Sequence, residues 1–313
     1  MINSGPATPL AAVDAQRLRR LASFVVSLLA GRPLHHGGPL HDLRPAASGL
    51  EFIDHRDFIA GDDPRGIDWR ASARRRQPLV RRYRDERASD WLILLDRSAS
   101  MDASAGVWSL AVQLAAGLAF VPMQLGHRTL VALFSDRLDA WSSIGRSETA
   151  YLAQRRLLAT AMARQCGGAS RPEAALPLTE RGSRVLLISD GLRQDAMVPA
   201  LARLRSAAGG LEMIQVQGPL PELDGPVTAV DIENGSERVL MGDTATRAEA
   251  VKARTELDAA LTEGCRRLRV PLSRARPGDD WDRVLLRHLL RHPRPAVGNG
   301  DVSLAQERAR AVQ

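Results

Sequence analysis

Two aspartates and three serines are the residues of this chain whose types and spacing could do chemistry together. The segment that begins at Asp96 has the sequence DRSASM, so that Ser98 and Ser100 follow at intervals of two. Asp190 is followed by a glycine, and Ser170 follows the run Gly-Gly-Ala. Carboxylate and hydroxyl oxygens are the donors that a hard divalent cation prefers. The five residues therefore predict a metal site for Mg²⁺, with Mn²⁺ and Ca²⁺ as alternatives.

These residues can meet only if the fold brings their segments to one edge of a sheet. Continuous apolar runs at Trp91–Leu95, Thr129–Phe134, Val185–Ser189 and Leu211–Val216 are typical of buried strands. Helical patterns between them predict an α/β fold with a doubly wound, mostly parallel sheet and helices on both faces. The predicted helices cover about residues 13–29, 103–125, 149–164, 194–206, 246–268 and 281–291, with a shorter one from 172.

The two aspartates directly follow the first and third of these apolar runs. Ligands of open α/β sheets bind outside the carboxyl ends of the strands, where the strand order reverses. If the chain goes out through three strands and returns, the strands before Asp96 and Asp190 become neighbours there, and the two carboxylates converge. Each motif alone has another interpretation: the serine-rich loop also suits a helix N-cap, and an Asp-Gly pair also suits a turn.

A long ordered run before the DRSASM loop adds a resemblance to a known family. It comprises Gly49–Phe52, Arg56–Phe58, Gly61–Trp69 and Ala71–Arg74. With these residues the chain resembles the bacterial family called domain of unknown function 58. Through the loop itself, it resembles the von Willebrand factor A-like fold with its metal-ion-dependent adhesion site. The resemblance covers about residues 47–290.

The resemblance implies a binding module and not an enzyme. Sites of this kind hold Mg²⁺ through two loop serines and a third hydroxyl, and they leave one coordination position for a carboxylate of a protein partner. Family members are typically encoded beside MoxR-type AAA+ ATPases, so we expect such a partner and a chaperone-like role in the assembly or maturation of a protein complex. The chain departs from the family at the third hydroxyl, where a threonine is replaced by Ala169 and Ser170 follows.

Composition limits the class of protein and its compartment. With 44% hydrophobic and 25% charged residues, the chain is an ordinary globular protein. Its two cysteines, Cys166 and Cys265, are far apart, which argues against a disulfide scaffold and favours a reducing cytoplasm. We find no signal-peptide pattern, and the most apolar stretch, Val107–Leu125, predicts a buried helix because polar residues interrupt it. We therefore expect a cytoplasmic protein without a membrane segment.

Motifs of the common enzyme classes are missing from the sequence. It contains no GxSxG nucleophile elbow, no GxxxxGK[ST] phosphate loop and no GxGxxG dinucleotide motif. A metal-assisted hydrolase would need a general base near the ion, and no histidine is predicted at that edge of the sheet. We therefore expect no enzymatic activity.

The segment Arg65–Arg87 suggests an alternative function. It holds nine arginines against three acidic residues, in a chain whose net charge is only +7, and it includes Trp69 and Tyr83. Arginines that meet phosphates and aromatic rings that stack on bases would make a nucleic-acid surface. We favour a hairpin whose arginines pair with carboxylates of the adjacent domain or of a partner, so nucleic acid remains the alternative.

These patterns divide the chain into five parts. We predict an N-terminal helix and Gly/Pro/His loop at 1–48, an arginine-rich accessory segment at 49–89, the von Willebrand A-like core at 90–217, a strand pair with helices at 218–292 and a disordered tail at 293–313.

Overall fold

The computed structural model of the protein describes residues 9–30, 50–58, 67–75, 77–85, 90–163, 170–192, 196–222, 224–231 and 236–290. The helices are α1 Ala15–Ala30, α2 Trp69–Arg75, α3 Val107–Gln124, α4 Glu148–Thr160, α5 Met197–Ala207, α6 Thr244–Leu268 and α7 Trp281–Leu290. The strands are β1 Leu50–Asp57, β2 Leu79–Asp85, β3 Asp90–Asp96, β4 Arg128–Phe134, β5 Leu138–Trp141, β6 Arg184–Ser189, β7 Gly210–Val216, β8 Gly225–Val230, β9 Glu237–Gly242 and β10 Leu272–Ala275. Short 3₁₀ helices cover Pro9–Ala12, Ala99–Asp102 and Pro172–Leu178.

Six strands form the central sheet in the order β10-β7-β6-β3-β4-β5. All neighbours are parallel except β4 and β5, which pair antiparallel. The chain therefore adds β4 and β5 on one side of β3 and then crosses over to add β6, β7 and β10 on the other. This confirms the predicted α/β class with a mostly parallel sheet, and it confirms that the strands before Asp96 and Asp190 are neighbours.

Helices cover both faces of the sheet because its inner strands are apolar on both faces. Along β3, Trp91, Ile93 and Leu95 join the hydrophobic cluster that includes α1, α3 and α7, whereas Leu92 and Leu94 join the cluster that includes α5 and α6. All five side chains are at most 3% exposed. A continuous apolar run, without polar alternation, is what a sheet buried on both faces requires.

Helix α3 is the central helix of the first layer. By length and composition it could cross a membrane, the one such helix among the residues described above, but 78% of it is buried inside the protein. This agrees with the predicted buried helix, because a core helix passes the same test. Gly117 lets α7 approach α3 closely: a Cβ there would lie 2.8 Å from the Trp281 ring.

The start of α3 and three further elements differ from the expectation. α3 begins at Val107 instead of near residue 103, because the 3₁₀ helix Ala99–Asp102 and the left-handed Gly106 (φ +83°) precede it. The sequence patterns missed β1, α2 and β10 altogether. β10 has four residues, and two of them, a serine and an arginine, are polar, so no apolar run marks it.

Both ends of the described chain pack beside α3. Arg17 of α1 lies 2.7 Å from Asp282 at the start of α7, measured from Nη2 to Oδ1. The indole Nε1 of Trp281 donates a hydrogen bond of 3.2 Å to the carbonyl of Ala12. The central sheet also runs past residue 217, because β10 pairs with β7. The five-part division of the chain stays a prediction, and its Gly/Pro/His loop and its tail at 293–313 lie outside the described residues.

The described part of the arginine-rich segment forms a small unit outside the central sheet. β1 and β2 pair antiparallel, and α2 lies in the connection between them. Asp68 starts α2 by accepting hydrogen bonds of 3.1 Å from the backbone nitrogens of Arg70 and Ala71. The same carboxylate lies 3.0 Å from Nε2 of His55 on β1, so Asp68 fixes the helix to the ribbon.

Candidate metal centre

Asp96 ends β3 and directs its carboxylate into the loop that follows. Its Oδ1 accepts a hydrogen bond of 2.9 Å from the backbone nitrogen of Ser98. The hydroxyls of Ser98 and Ser100 lie 3.0 Å apart. Asp96 and Ser98 are fully buried, and Ser100 is partly exposed. The spacing of two therefore brings both serine hydroxyls to one side of the loop, beside the carboxylate.

Ser170 reaches the same carboxylate from a different part of the chain. Its hydroxyl donates a hydrogen bond of 2.6 Å to Oδ2 of Asp96. The backbone nitrogen of Arg171 donates to the carbonyl of Ser135 at 2.7 Å, which holds this segment against the end of β4. The structure thus brings Ser170 to the predicted site, and residue 169 lies outside the described part of the chain.

Asp190 follows β6 on the strand next to Asp96. Its Oδ1 accepts a hydrogen bond of 3.0 Å from the backbone nitrogen of Leu192, and its backbone carbonyl accepts one of 3.0 Å from Nε2 of Gln215. Gly191 adopts φ +70°, a left-handed conformation that favours glycine, so the Asp-Gly pair does form the tight bend that its turn interpretation predicts. Turn and site are compatible, because the bend keeps the Asp190 side chain at the edge of the sheet.

Sequence reasoning missed Ser189 as a member of the site. This last residue of β6 donates a hydrogen bond of 2.7 Å from its hydroxyl to Oδ2 of Asp96. The hydroxyl also accepts a hydrogen bond of 3.1 Å from the backbone nitrogen of Gly191. The available signal was a polar residue that closes a buried apolar run. Ser189 therefore orients Asp96 and the bend after β6 together.

An ion pair beside the site was also missed. Nε of Arg97 lies 3.9 Å from Oδ2 of Asp139, and the hydroxyl of Ser135 donates to the same oxygen at 2.6 Å. The backbone nitrogen of Arg97 donates to the carbonyl of Phe134 at 2.8 Å. The guanidinium is therefore turned toward Asp139 on β5.

The surroundings of Asp96 disfavour its negatively charged form. Burial and, second, the negative charge of Asp190 raise the pKa of Asp96 from an ordinary 3.8 to about 6, although hydrogen bonds from Ser170, Ser98 and Ser189 lower it. Two close carboxylates in a buried setting repel each other, and a bound cation reverses that balance.

The donors at this edge fit a hard cation. Within the described residues, no three His, Cys, Asp or Glu side chains form a group that could hold a metal. The case for a cation therefore depends on two carboxylates supplemented by the hydroxyls of Ser98, Ser100 and Ser170. Such a set suits Mg²⁺, which keeps several waters and needs few direct protein ligands. All five residues predicted for the site lie at the same edge of the sheet.

Comparisons with known proteins match the part of the chain that contains most of the central sheet. A family model described as "Protein of unknown function DUF58" matches residues 54–260. Uncharacterized proteins from Mycobacterium bovis and from two strains of Mycobacterium tuberculosis are each 28% identical to this chain over 264 residues, which cover 80% of this chain and 81% of each relative. The matched region includes the candidate metal centre and part of the arginine-rich segment.

Proposed function

The chain belongs to the family of proteins of unknown function DUF58, and we propose that it is a Mg²⁺-dependent protein-binding module with a von Willebrand A-like fold. The observation that carries this proposal is the convergence of five oxygen-bearing side chains where the strand order reverses. Ser98, Ser100 and Ser170 would bind the ion through their hydroxyls. Asp96 and Asp190 would bind it directly or through water.

Binding through a partner's carboxylate follows from the charge of these donors. Three of the five are uncharged hydroxyls, so the ion would keep much of its positive charge when the two aspartates hold it through water. A carboxylate from a partner would then gain affinity by completing the coordination. The partner therefore binds strongly only when both the ion and the acidic side chain are present.

The contacts of the described histidines support a binding role over catalysis. His55 contacts Asp68, His127 lies against the ring of Trp91, and His288 contacts Ser273. Each of these three described histidines is thus engaged elsewhere in the fold and is not available as a general base beside the ion. We expect no turnover of phosphoesters by this protein.

The partner that we propose is a MoxR-type AAA+ ATPase, with an acidic residue that fills the last coordination position. The protein would work with it in the cytoplasm, in the chaperone-like assembly or maturation of a protein complex. The support for this partner is family membership, and the support for the acidic residue is the donor set.

Calorimetric titration with Mg²⁺ tests the metal site. We expect the full chain to bind Mg²⁺ and the Asp96→Asn variant to show no binding heat. Asp90→Asn is the matched control, because Asp90 begins the same strand and pairs with Arg128 at the opposite edge, with Nε 2.6 Å from Oδ1. Equal Mg²⁺ binding by both variants would contradict the proposed site.

Co-purification tests the partner. Tagged protein is mixed with the MoxR-type ATPase of the same organism in Mg²⁺ and again in EDTA, with Asp96→Asn and Asp90→Asn alongside. We expect retention of the ATPase only in Mg²⁺, and only with the wild-type protein and Asp90→Asn. Retention that survives both EDTA and Asp96→Asn would exclude the metal-dependent mode of binding.

A second candidate function, nucleic-acid binding, is favoured by one surface. Trp69 on α2 is 70% exposed, and Arg70, Arg74 and Arg75 on the same helix are exposed and have no ion pair within the described residues. Affinity for DNA or RNA that falls steeply with salt, ignores Mg²⁺ and is lost on replacing the three arginines by glutamine would support it.

A further inference from the structure

A second polar pocket lies on the carboxyl edge of the sheet, beside the candidate metal centre. Its walls are Gly218–Leu220 after β7, Arg276 and Pro277 after β10, and Arg254 and Asp258 of α6, and it encloses about 390 Å³. We call it the edge pocket. Neither the matched family nor the proposed function assigns a ligand to it.

The edge pocket is built around a carboxylate whose position is fixed. Oδ1 of Asp258 accepts hydrogen bonds from Nε2 of Gln215 at 3.0 Å and from Nε2 of Gln217 at 2.6 Å. Both glutamines are buried, at 1% and 7% exposure. Nε of Arg254 lies 3.8 Å from the other carboxylate oxygen. Two buried amides thus hold Asp258, which in turn holds Arg254 against the pocket wall.

The side chains that line the edge pocket carry one net positive charge. Arg254 is balanced by Asp258, and the Arg276 guanidinium has no ion-pair partner within the described residues. A single positive charge next to hydrogen-bond donors suits a singly charged carboxylate better than a doubly charged phosphate. The ligand class that fits the pocket is therefore a carboxylate.

The pocket and the metal centre are physically connected. Nε2 of Gln215 donates to both the Asp190 carbonyl and the Asp258 carboxylate, each at 3.0 Å. The Ser104 hydroxyl, in the loop that follows Ser100, donates to the Pro219 carbonyl at 3.0 Å. A side chain at Gly218 would clash with Ser104, so this wall of the pocket packs directly against the loop.

The spacing between the two sites follows from the sheet. β3, β6, β7 and β10 are successive parallel strands, so their carboxyl ends lie in a row. Parallel strands are about 4.8 Å apart, which separates the β3–β6 gap from the β7–β10 gap by about 10 Å. A link that advances the chain by three residues spans about the same distance, and Gly or Ser in the link lets both flanking side chains turn to the same side.

We propose that the edge pocket binds a second carboxylate of the protein partner, so that the partner is recognised through an acidic segment with two carboxylates about 10 Å apart. One carboxylate completes the metal coordination, and the other pairs with Arg276, beside the Arg254–Asp258 pair. The pocket itself follows from the contacts above. Only the pairing of the two sites in one partner depends on the proposed function.

Synthetic peptides test this proposal on the full-length protein. One peptide carries two glutamates separated by two Gly or Ser residues, and in its matched partner the second glutamate is replaced by glutamine. Binding is followed by NMR through the arginine Nε–Hε signals of the ¹⁵N-labelled protein, in Mg²⁺ and in EDTA. The variant is Arg276→Gln, and the control is Arg203→Gln, which removes the charge of an exposed arginine on α5.

We expect the two-glutamate peptide to bind about tenfold more tightly than the one-glutamate peptide in Mg²⁺, because the second contact forms at a high effective concentration. Arg276→Gln should remove that gain, and Arg203→Gln should keep it. If Arg276→Gln weakens peptide binding equally in Mg²⁺ and in EDTA, the edge pocket is supported and the metal site is contradicted.

Three results would overturn the edge pocket. The first is equal binding of the two peptides with no effect of Arg276→Gln, even if Mg²⁺ still strengthens the binding of both; the proposed function would then stand alone. The second is displacement of the peptide by inorganic phosphate at lower concentration than by acetate, which would assign the pocket to phosphate. The third is the absence of any shift of the arginine signals at millimolar peptide.

Discussion

Asp96 is the residue at which folding and the proposed metal binding oppose each other. Its raised pKa of about 6 means that the fold favours the protonated carboxyl. The stabilising contribution of this group is therefore complete below about pH 4 and is lost as the pH rises through 6. At neutral pH the charged, buried carboxylate destabilises the metal-free fold, and the same charge is what a cation would bind.

We predict that Asp96→Asn is more stable than the wild-type protein in EDTA at pH 7, by on the order of 2 kcal/mol, because the buried charge is gone. The asparagine can keep the hydrogen bond from the Ser98 backbone nitrogen. Near pH 4 the difference should vanish. Thermal unfolding at both pH values measures it, and a destabilised Asp96→Asn at pH 7 would contradict the electrostatic argument.

Ser170 and Ser189 offer a matched pair, because both donate to Oδ2 of Asp96, at 2.6 and 2.7 Å. If Ser170 is also a metal ligand, Ser170→Ala should weaken Mg²⁺ binding about tenfold more than Ser189→Ala, since one coordinating oxygen is lost in addition to the hydrogen bond. Ser170→Thr should restore binding. Calorimetry on the three variants measures this, and equal losses for the two alanine variants would leave Ser170 as a positioning residue only.

At the scale of secondary-structure elements, the sequence predicts those strands that a single local pattern determines. Residues 91–95 of β3 and 185–188 of β6 are buried on both faces and are all apolar, and the polar residue that follows each run marks the edge of the sheet. Together with the assumption that the strand order reverses after three strands, those two facts predict that Asp96 and Asp190 converge. Ser170 could be added because it follows a Gly-Gly-Ala run just before a predicted helix at the same edge, although the family has a threonine one residue earlier.

The remaining elements depend on tertiary contacts that no local pattern records. β10 becomes a strand only because β7 offers it an edge to pair with, and α3 begins after the left-handed Gly106, which packs near Pro277, a residue far away in sequence. The edge pocket was not predicted for the same reason. Arg254 and Arg276 come to line the same pocket only when α6 and β10 pack together.

A buried polar cluster joins α7 to the sheet. The Ser273 hydroxyl on β10 lies 2.8 Å from Nδ1 of His288, and Nε2 of His288 lies 2.8 Å from the Glu212 carboxylate on β7. All three residues are at most 5% exposed. The cluster therefore links α7, β7 and β10 inside the core.

We predict that His288→Leu destabilises the fold by about 3–5 kcal/mol, because it leaves the Glu212 carboxylate buried without its partner. The double variant Glu212→Leu/His288→Leu should recover much of this loss, since no buried charge remains. Urea unfolding of these two variants and of the single variant Glu212→Leu gives the comparison. A double variant as unstable as the sum of the two single changes would show that the residues are not coupled.

At the scale of the whole molecule, the layer around α3 is assembled from distant segments. α1 and α7 both pack on α3 in the same hydrophobic cluster, although they come from opposite ends of the described chain. The apolar face of α3 is thus covered only when both ends are present.

We therefore predict that residues 90–217 alone do not fold cooperatively, whereas residues 9–290 do. The shorter chain lacks β10 and leaves α3 without α1 and α7, which exposes a large apolar surface. Thermal unfolding followed by circular dichroism, together with binding of a hydrophobic dye, distinguishes the two chains. A sharp unfolding transition in residues 90–217 would instead support the predicted boundary at 217.

The two edges of the central sheet are its shortest strands. β5 and β10 have four residues each, whereas the inner strands have six or seven. The open backbone groups of an edge strand are a template on which another molecule can add a strand, and here that template is only about 13 Å long. The sheet therefore offers neighbouring molecules little to extend, which protects a protein with so apolar a core from fibre-like assembly at high concentration.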